Sequence, residues 1–479
     1  MNNNGDMNNR YKAYPEYKDS GVEWLGDIPS HWIQTLLKRY CVVTDGSHHS
    51  PKIQSIGLPF ISVTDVGVNK INFEDSKKIS NDDYLRLVNE GCKPKVGDIL
   101  LTKDGTIGRA AIVKNRYPDF VILSSLGLLS PLRMLANRFL YYYLISGINI
   151  DQMNSLIHGS ALRRMTINKI DNLQFVLPPL VEQKQIANFL DYETAKIDTL
   201  IEKQQELIKL LKEKRQSVIS HAVTKGLDPN VPMKDSGIEW LGEMPEHWEI
   251  CLVKNKCEEI TDGAHVSPIT EGGQHHFISI TDIKKGFINF DNALLTTTEN
   301  FNYLVKTGCM PLVGDILFSK DGTIGQTVIT PENIDFVVAS SLIIIRPKKS
   351  LITSEYFNFL LQSGAVVEQV ESFVKGAALR RLSIQNLMKV RGIFPPISEQ
   401  NEISHYLNRT HKKFDVLERN ACNLIKLLQE RRTALISAAV TGKIDVRNWQ
   451  APEALRGDDY FNRGNIKING NEIITNAVE

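Results

Sequence analysis

Short apolar runs make up most of each half of the chain. In the first half they extend from about residue 17 to 176 and are separated by Gly, Pro, Asp and Asn, which is typical of strands, turns and short helices. FISVTD at 60–65 is predicted to form a strand, and KDGTIG at 103–108 a hairpin turn between the apolar runs DILLT and AAIV. FLYYYLISG is predicted to form a helix that ends at Gly147.

A longer pattern follows the Pro-Pro pairs at 178–179 and 395–396. Each pair begins a stretch without glycine or proline, and the glutamates that follow, Glu182 and Glu399, suit a helix N-terminus. Positions spaced alternately by four and three residues predict a coiled-coil seam. In the first half these seam positions are Leu190, Thr194, Ile197, Ile201, Gln204, Ile208, Leu211, Arg215, Val218 and Ala222. In the second half they are Leu407, Phe414, Ala421, Ile425, Leu428, Leu435 and Ala439, with Glu418 interrupting the pattern.

The two halves are copies of one another. KDSGVEWLGDIPSHW (Lys18–Trp32) returns as KDSGIEWLGEMPEHW (Lys234–Trp248) with 11 of 15 positions identical, and GDILLTKDGTIG returns as GDILFSKDGTIG with 10 of 12 identical. Further pairs are VTDGSHHSP with ITDGAHVSP, GSALRR with GAALRR, LPPLVEQ with FPPISEQ, and VISHAVTKGLD with LISAAVTGKID. The offset is 216 or 217 residues throughout, so the chain is a duplication and not an array of small repeats.

Each predicted helix has about 40 residues and a length of roughly 60 Å, so it cannot bury its apolar stripe in a domain of modest size. We therefore expect the two helices to pack against each other, and the homology of the halves favours an antiparallel pair with internal pseudo-two-fold symmetry. The predicted fold class is α+β, with two homologous globular domains separated by two long helices that form an antiparallel coiled coil. The predicted segments are an N-terminal extension (1–16), a globular domain (17–177), a helix (178–228), a second globular domain (229–394), a second helix (395–444) and a tail (445–479).

Composition narrows the class of protein. The 479 residues include 56 basic and 55 acidic side chains, for a formal net charge of +1. A protein that clamps DNA alone is usually more basic, so DNA binding would require local basic patches or partners that supply charge. No apolar run is long enough to cross a membrane, and the first residues lack the apolar core of a secretory signal, so we expect a cytoplasmic protein without membrane contact. The six cysteines show no metal or redox spacing.

Together the repeated motifs resemble those of a known family. The motifs that carry this resemblance are SG-x-EWLG-x-x-P-x-HW, TDG-x-H, GDIL-x-x-KDGTIG and PP-x-x-EQ before a long helix. In these motifs the chain resembles the specificity subunit of type I restriction-modification systems, and the resemblance covers nearly the whole chain. It implies that the globular domains are target-recognition domains, which read a bipartite, gapped site in double-stranded DNA. It also implies docking of two modification subunits and two restriction subunits. No cofactor is expected in this chain, whereas those partners are expected to use S-adenosylmethionine, ATP and magnesium.

Matched basic and hydroxyl side chains in polar loops are the candidate DNA-binding residues. They are His48 and His265 in TDG-x-H; Lys103, Thr106, Lys320 and Thr323 in KDGTIG; and Arg163, Arg164, Arg380 and Arg381 in GSALRR and GAALRR. Lysine and arginine side chains can bind phosphates or guanine edges, and a threonine hydroxyl can hydrogen-bond to a phosphate or a base. The alternatives are solvated hairpin positions, plain surface histidines, and arginines in a salt bridge to a neighbouring helix. No catalytic residue and no metal site is predicted.

Four tryptophans also recur with identical spacing, at positions 24, 32, 240 and 248. Tryptophan can stack on bases, but at the entry of a domain it is more often a packing anchor. We therefore predict that they serve in packing or in docking of a partner.

Two other functional hypotheses compete with DNA recognition. An enzyme acting alone is disfavoured, because the chain has no G-x-x-x-x-G-K-[ST], no G-x-G-x-x-G, no H-E-x-x-H and no [ND]-P-P-Y sequence. A duplicated coiled-coil scaffold that does not touch DNA fits the long helices and the neutral charge. The duplicated basic and hydroxyl residues in loops argue against that scaffold.

The similarity of the two halves predicts the symmetry of the target. Like domains in inverted orientation read like half-sites on opposite strands, so we predict a gapped, near-palindromic sequence. The halves diverge at 52–59 against 269–276 and at 67–68 against 284–285. If these segments make the base contacts, the two half-sites will differ.

Overall fold

The structure of the chain is a computed structural model, which describes residues 11–157, 163–238, 241–284, 286–374 and 380–450. Its contacts divide the chain into two compact units. Unit 1 consists of Met1–Gln204 and Asn423–Glu479, and unit 2 of Gln205–Cys422. The first unit is therefore built from two separate parts of the sequence, whereas the second is one continuous segment.

Over its described residues, unit 1 combines four sheets with helices. Its strands are β1 (Tyr17–Asp19), β2 (Asp27–Pro29), β3 (Ile33–Leu36), β4 (Cys41–Asp45), β5 (Leu58–Ile61), β6 (Lys77–Ile79), β7 (Ile99–Thr102), β8 (Ala110–Ile112), β9 (Val121–Ile122), β10 (Leu126–Pro131) and β11 (Gln174–Leu177). Its helices are α1 (Asn81–Asn89), α2 (Asn137–Ile145), α3 (Gly147–Ser155), α4 (Ile167–Asp171) and the first part of α5 (Leu180–Lys225). An antiparallel sheet has the order β4-β10-β7-β8, and a smaller sheet, β6-β5-β9, contains the parallel pair β5 and β9. The other two sheets are the strand pairs β1-β2 and β11-β3.

Unit 2 repeats these elements. Its strands are β12 (Met233–Asp235), β13 (Glu243–Pro245), β14 (Glu249–Leu252), β15 (Cys257–Asp262), β16 (His275–Ile278), β17 (Ile283–Lys284), β18 (Phe287–Ile288), β19 (Leu294–Thr296), β20 (Ile316–Ser319), β21 (Thr327–Ile329), β22 (Phe336–Val338), β23 (Leu342–Pro347) and β24 (Arg391–Phe394). Its helices are α6 (Thr298–Lys306), α7 (Ser354–Gln362), α8 (Gly364–Val374), α9 (Ile384–Leu387) and the first part of α10 (Ile397–Val440). The sheets β15-β23-β20-β21 and β19-β16-β22 have the same order as those of unit 1.

The four-stranded sheet is the middle layer of unit 1. Ile99 and Leu101 of β7 belong to the core that contains the apolar face of α2, whereas Leu100 packs with Ile61 and Ile122 of the smaller sheet. This division follows from the strand geometry, because successive side chains point to opposite faces. Both faces are covered, so all four residues of β7 are buried. Unit 2 repeats this layering along β20.

The predicted seam is present along α5. All the seam positions are buried or half-buried, and between Ile201 and Val218 every residue that separates two seam positions is exposed. In unit 1, Leu190 of α5 shares one core with Leu428 and Leu435 of α10. The apolar stripe of the helix is therefore buried by the other long helix, as the spacing predicted.

Within unit 1 the two long helices run antiparallel. Arg432 Nε of α10 donates to Asp198 Oδ1 of α5 at 2.8 Å. Nearer the start of α5, the rings of Phe189 and Trp449 pack edge to face, with their centroids 5.5 Å apart. Trp449 follows the end of α10, so residue numbers rise along α10 and the segment after it as they fall along α5.

Unit 2 shows the same antiparallel pairing with the other ends of both helices. Arg215 Nη2 lies 2.5 Å from Asp415 Oδ1 and 3.9 Å from Glu418 Oε2. Further along α5, Lys225 lines the same cavity as Glu402, which lies near the start of α10. Glu418, which interrupts the predicted apolar pattern, is therefore an ionic partner of the arginine that stands at a seam position of α5.

The start of each long helix is attached to its unit by the repeated motifs. Trp32 Nε1 donates to Glu182 Oε1 at 3.1 Å, and Trp248 Nε1 donates to Glu399 Oε2 at 2.9 Å. The adjacent glutamine, Gln183, donates to Pro178 O at 2.8 Å and accepts from a backbone N–H near α2. The HW and EQ motifs recur because they make this connection in both units. The prediction of a packing role holds for the two buried tryptophans. Trp24 is 42% exposed, and Trp240 lies outside the described residues.

Two chain segments distant in sequence meet in unit 1. Asp445 N donates to Lys12 O at 2.7 Å, and Trp449 also lies 5.6 Å from Tyr192, centroid to centroid. The first residues of the predicted tail thus pack beside the N-terminal extension and on α5. Residues 451–479 lie outside the described part of the chain.

Two local predictions were wrong. FISVTD is a strand only as far as Ile61, because Ser62 and Asp65 form a capping box around a 3₁₀ turn at Val63–Asp65. The helix through FLYYYLI ends at Ile145, and the side chain of the next residue, Ser146, caps the following helix, so Gly147 begins α3 instead of ending α2. In both cases a serine hydroxyl that binds nearby backbone N–H groups determines the boundary.

The two long helices lie inside the segments 178–228 and 395–444 predicted for them, and each is divided between the two units. Over the residues described by the structure, none of the helices is both long and apolar enough to span a membrane.

Replacing Leu435 by alanine is expected to lower the free energy of unfolding by about 2–5 kcal/mol, because its buried side chain closes the α5–α10 contact in unit 1. Leu427→Ala is the matched control on the same helix: this leucine is 57% exposed, so its loss should change stability by no more than about 0.5 kcal/mol. Urea unfolding of both variants measures the difference. Equal losses would show that the helix contact does not stabilise the unit.

Candidate nucleic-acid interface

Three loops meet at one edge of the four-stranded sheet in each unit. In unit 1 the hairpin turn after β7 lies against the segment before α4: Met165 N donates to Lys103 O at 2.8 Å and Gly105 N donates to Arg163 O at 3.1 Å. An isolated bridge joins Asp104 to Arg164. The third loop follows β4, whose last residue is Asp45, and Asp45 Oδ2 lies 3.7 Å from Lys103 Nζ. We call this group the basic loop cluster of unit 1.

Unit 2 contains the same basic loop cluster. Leu382 N donates to Lys320 O at 2.9 Å, and a bridge joins Asp321 to Arg381. Lys320 Nζ donates to Asp262 Oδ1 at 2.5 Å, which brings in the loop after β15. The structure therefore brings together the three motifs that the sequence placed apart, and it does so twice.

The two lysines of the clusters are buried. Lys103 is 2% exposed and Lys320 is 3% exposed, and their ammonium groups point to Asp45 and Asp262. Burial lowers the pKa of Lys103, although Asp104 and Asp45 favour its charged form. Both lysines therefore hold loops together inside the cluster, and the DNA contact predicted for them stays a prediction.

The arginines of the clusters lie at the surface, but their partners differ between the units. Arg164 Nε lies 3.3 Å from Asp104 Oδ1, and Arg381 pairs in the same way with Asp321. Arg163 Nη2 donates to the neutral amide of Asn154 at 2.5 Å. These two salt bridges join the arginines to the hairpin turns and not to a neighbouring helix, and an exposed arginine in a salt bridge can still exchange its partner for a phosphate.

Arg380 stands where Arg163 stands in unit 1, but its Nη2 lies 2.6 Å from Glu371 Oε2. Glu371 occupies the position of Asn154 in the repeat. One arginine of unit 2 is therefore neutralised by a carboxylate that unit 1 lacks at this position.

The histidines and threonines complete the surface of each cluster. His48 Nε2 lies 3.1 Å from Asp45 Oδ2, and His265 Nε2 lies 3.2 Å from Asp262 Oδ2. Both rings are largely exposed, as are Thr106 and Thr323 at the tips of the hairpins. Eight of the ten predicted residues thus present side chains to solvent, where a ligand can reach them.

The glycine of TDG-x-H allows the backbone segments to approach closely. A Cβ atom on Gly46 would lie 2.2 Å from Ile122 O, and one on Gly263 would lie 2.2 Å from Ala339 O. No side chain fits at such a distance, so this glycine sets the position of the adjacent histidine loop.

Four aspartates in the clusters were missed by reasoning from the sequence. Asp45 and Asp262 bind a lysine and a histidine each, and Asp104 and Asp321 bind an arginine each. The signal was present, since TD and KD recur in both halves, but acidic residues were not expected in a surface that binds an anion. Over the described residues, no group of three or more His, Cys, Asp and Glu side chains is arranged to hold a metal ion.

The divergent segments next to the clusters are exposed. Ile53 and Ile56 in the segment 52–59 are 47% and 83% exposed, and Ile269 in the corresponding segment is 58% exposed. The second divergence includes Lys284, the last residue of β17, and Phe287, the first residue of β18, is 74% exposed. These apolar side chains lie outside the core, in or beside segments that differ between the two halves, and such exposed apolar side chains are typical of surfaces that bind a partner molecule.

Comparison with known proteins identifies the type of chain that has this architecture. A family model described as the type I restriction modification DNA specificity domain matches residues 49–210 and 249–427, which is more than half of the chain. The chain is 23% identical over 437 residues to the putative type I restriction enzyme MjaX specificity subunit of Methanocaldococcus jannaschii, covering 88% of this chain and 96% of that protein. It is 21% identical over 475 residues to the type I restriction enzyme EcoKI specificity subunit of Escherichia coli K12, covering 91% and 94%.

A solved structure supports the fold. A chain from a study of complex assembly and conformational transition in the type I R-M system superimposes with a TM-score of 0.62 at 16% identity, covering 86% of this chain and 98% of that chain. The likeness extends over both units and shows that the arrangement of elements is shared.

Replacing Asp262 by asparagine is expected to lower the free energy of unfolding by about 1–3 kcal/mol, because the buried ammonium of Lys320 loses its carboxylate partner. Asp335→Asn, at an exposed position, removes the same charge and should change stability by no more than about 0.5 kcal/mol. Thermal or urea unfolding distinguishes the two. No difference between the variants would mean that the lysine does not depend on this pair.

Proposed function

The chain belongs to the family of type I restriction-modification DNA specificity proteins, and on that premise we propose that each unit reads one half of a bipartite, gapped target. DNA recognition is the function of this chain, and it is not a catalytic subunit. The scaffold without DNA contact is not favoured. The observation that carries the proposal is the basic loop cluster, which occurs once in each unit with the same exposed histidine, threonine and arginine positions.

Two properties of the cluster suit it to DNA. Exposed arginines and histidines attract phosphates, while hydroxyl and guanidinium groups can also bind base edges in the major groove. The buried lysine and its half-buried aspartate partner fix three loops to one another, so the exposed groups are held in position before the DNA arrives. Such preorganisation lowers the entropy cost of binding. The exposed, divergent segments next to each cluster are the part of each unit that we expect to distinguish the two half-sites.

The partners follow from the proposed role. We propose that the chain assembles with two modification subunits and two restriction subunits, which hold S-adenosylmethionine, ATP and magnesium, and that it does so in the cytoplasm. A formal net charge of +1 is consistent with a recognition subunit whose partners supply part of the phosphate contacts.

The function is tested by mapping methylated adenines across a genome in cells that express the chain with its cognate modification subunit, against cells that lack the chain. We expect a bipartite motif with similar, inverted halves. A bipartite motif with unrelated halves would keep the recognition function and show that the divergent segments choose the bases. Absence of any motif, with an assembled and active modification subunit, would overturn the proposed function.

A double replacement, Arg163→Ala with Arg164→Ala, is expected to weaken DNA binding about equally for specific and unrelated sequences. Each phosphate contact contributes about 0.9 to the slope of log K against log salt, so the slope should become shallower by up to about 2. Fluorescence anisotropy of labelled duplex DNA at several salt concentrations gives the slope. The control, Arg39→Ala with Arg133→Ala, removes two exposed arginines outside the cluster and should leave the slope unchanged. Equal slopes for both variants would exclude a phosphate contact in this part of unit 1.

A further inference from the structure

Glu182 in unit 1 accepts hydrogen bonds from three side-chain donors. Trp32 Nε1 lies 3.1 Å from its Oε1, and His31 Nε2 lies 2.9 Å from its Oε2. A third donor is the hydroxyl of Tyr14, which also donates to Oε1. The Tyr14 ring packs edge-to-face on Trp32 with centroids 5.7 Å apart, and the Arg447 guanidinium lies 4.9 Å from the ring centroid. A tyrosine and an arginine thus cover the carboxylate, and the side chain of Glu182 is 6% exposed.

Unit 2 contains the same carboxylate with its first two donors. Trp248 Nε1 lies 2.9 Å and His247 Nε2 2.6 Å from the oxygens of Glu399. In place of the tyrosine and arginine there is a cavity of about 230 Å³. Its wall includes Asp228, Val231, Trp248, Glu399 and Glu402. The side chain of Glu399 is 33% exposed, so one position on this carboxylate remains open to a further donor.

The difference arises from the course of the chain. In unit 1 two separate segments pass Glu182, one bearing Tyr14 and the other bearing Arg447, and they are joined by the hydrogen bond from Asp445 to Lys12. In unit 2 a single segment, residues 226–232, connects α5 directly to β12. It therefore takes the place of both segments that pass Glu182 in unit 1. This direct connection supplies neither side chain, and among the described residues no other side chain fills the space that they occupy in unit 1.

The charges around the cavity match the missing groups. Asp445 holds Arg447 with an Nη2–Oδ2 distance of 2.6 Å. Its counterpart Asp228 lines the cavity, and Asn230 stands at the position of Arg447 in the repeat, so this carboxylate has lost its cation. Glu402 replaces Gln185 and adds a further negative charge. Three carboxylates line the cavity together with the ammonium of Lys225 and the imidazole of His247, and the excess of carboxylates favours a positively charged ligand.

We propose that this cavity of unit 2 receives a tyrosine side chain, with an arginine close to it, from a partner subunit. The phenol ring fills the space beside Trp248 and donates its hydroxyl proton to Glu399, while the guanidinium pairs with Asp228. The chemistry is that of Tyr14 and Arg447 in unit 1, supplied by a second chain. The identification of that chain as the modification subunit rests on the proposed function.

The chemistry of the cavity is tested with the full chain labelled with 5-fluorotryptophan, which gives one ¹⁹F signal for each of its five tryptophans. The probe is a peptide of residues 11–17, YKAYPEY, with blocked termini. We expect it to shift the Trp248 signal in a saturable manner and to leave the Trp32 signal unchanged, because Tyr14 already fills that site. Trp248→Phe and Trp32→Phe assign the signals. A peptide with phenylalanine in place of Tyr14 should bind at least about fivefold more weakly, since it cannot donate to the carboxylate.

Two variants connect the shift to the cavity. Val231→Tyr fills the cavity from its own wall, so the Trp248 signal should stop responding to the peptide. Glu399→Gln removes the charged acceptor and should weaken the peptide at least about fivefold. Val313→Tyr, at a position that is 49% exposed and does not line the cavity, is the control and should bind the peptide as the unaltered chain does. Absence of a Trp248 shift at millimolar peptide, or an unchanged shift in Val231→Tyr, would overturn the proposal.

The occupant is tested by assembly with the cognate modification subunit. Val231→Tyr should raise the concentration needed for half-maximal assembly at least about fivefold, whereas Val313→Tyr should not. If the peptide binds but assembly is unaffected by Val231→Tyr, a partner tyrosine does not occupy the cavity and the proposal fails. The proposed function is judged separately by the methylation map, which is expected to show a motif for the unaltered chain in either case.

Discussion

The apolar stripe of each long helix has to be buried, and much of the structure follows from this constraint. α5 has 46 residues and α10 has 44, so a globular domain at one end can cover only part of either stripe. Each unit therefore contains one end of α5 and one end of α10, paired antiparallel and closed by ion pairs such as Arg432–Asp198. The glutamate at the start of each helix then attaches it to the adjacent globular part through a tryptophan and a histidine.

Regular features were the ones that the sequence predicted well. The seam positions of α5 and the KDGTIG hairpin follow from local spacing, and the duplication was visible without any structure. Burial of Lys103 was not predictable in this way, because its partner Asp45 lies 58 residues earlier and only the fold brings them together. The same holds for the tyrosine at Glu182, which comes from a segment 168 residues away. The helix boundary at Gly147 was missed because a serine hydroxyl, and not the glycine, caps the turn.

The duplication shows how equal motifs acquire unequal surroundings. Both units keep the aspartate, lysine and histidine of the basic loop cluster, yet Asn154 in one unit is Glu371 in the other, so the charge next to the outer arginine differs. The change affects one side chain at the surface and none in the core. The residues that hold the loops and the exposed arginine itself are therefore retained in both copies, while the side chain that binds this arginine differs.

Because unit 1 is built from two distant parts of the chain, the two units complete their folding at different times during synthesis. Unit 2 is one continuous segment and can complete its core while the ribosome is still extending the chain. Unit 1 needs Leu428, Leu435 and Trp449, so its core stays unfinished until almost the last described residue has emerged. Until then the first turns of α5 expose an apolar stripe. The domain that is translated first is thus the one that is completed last.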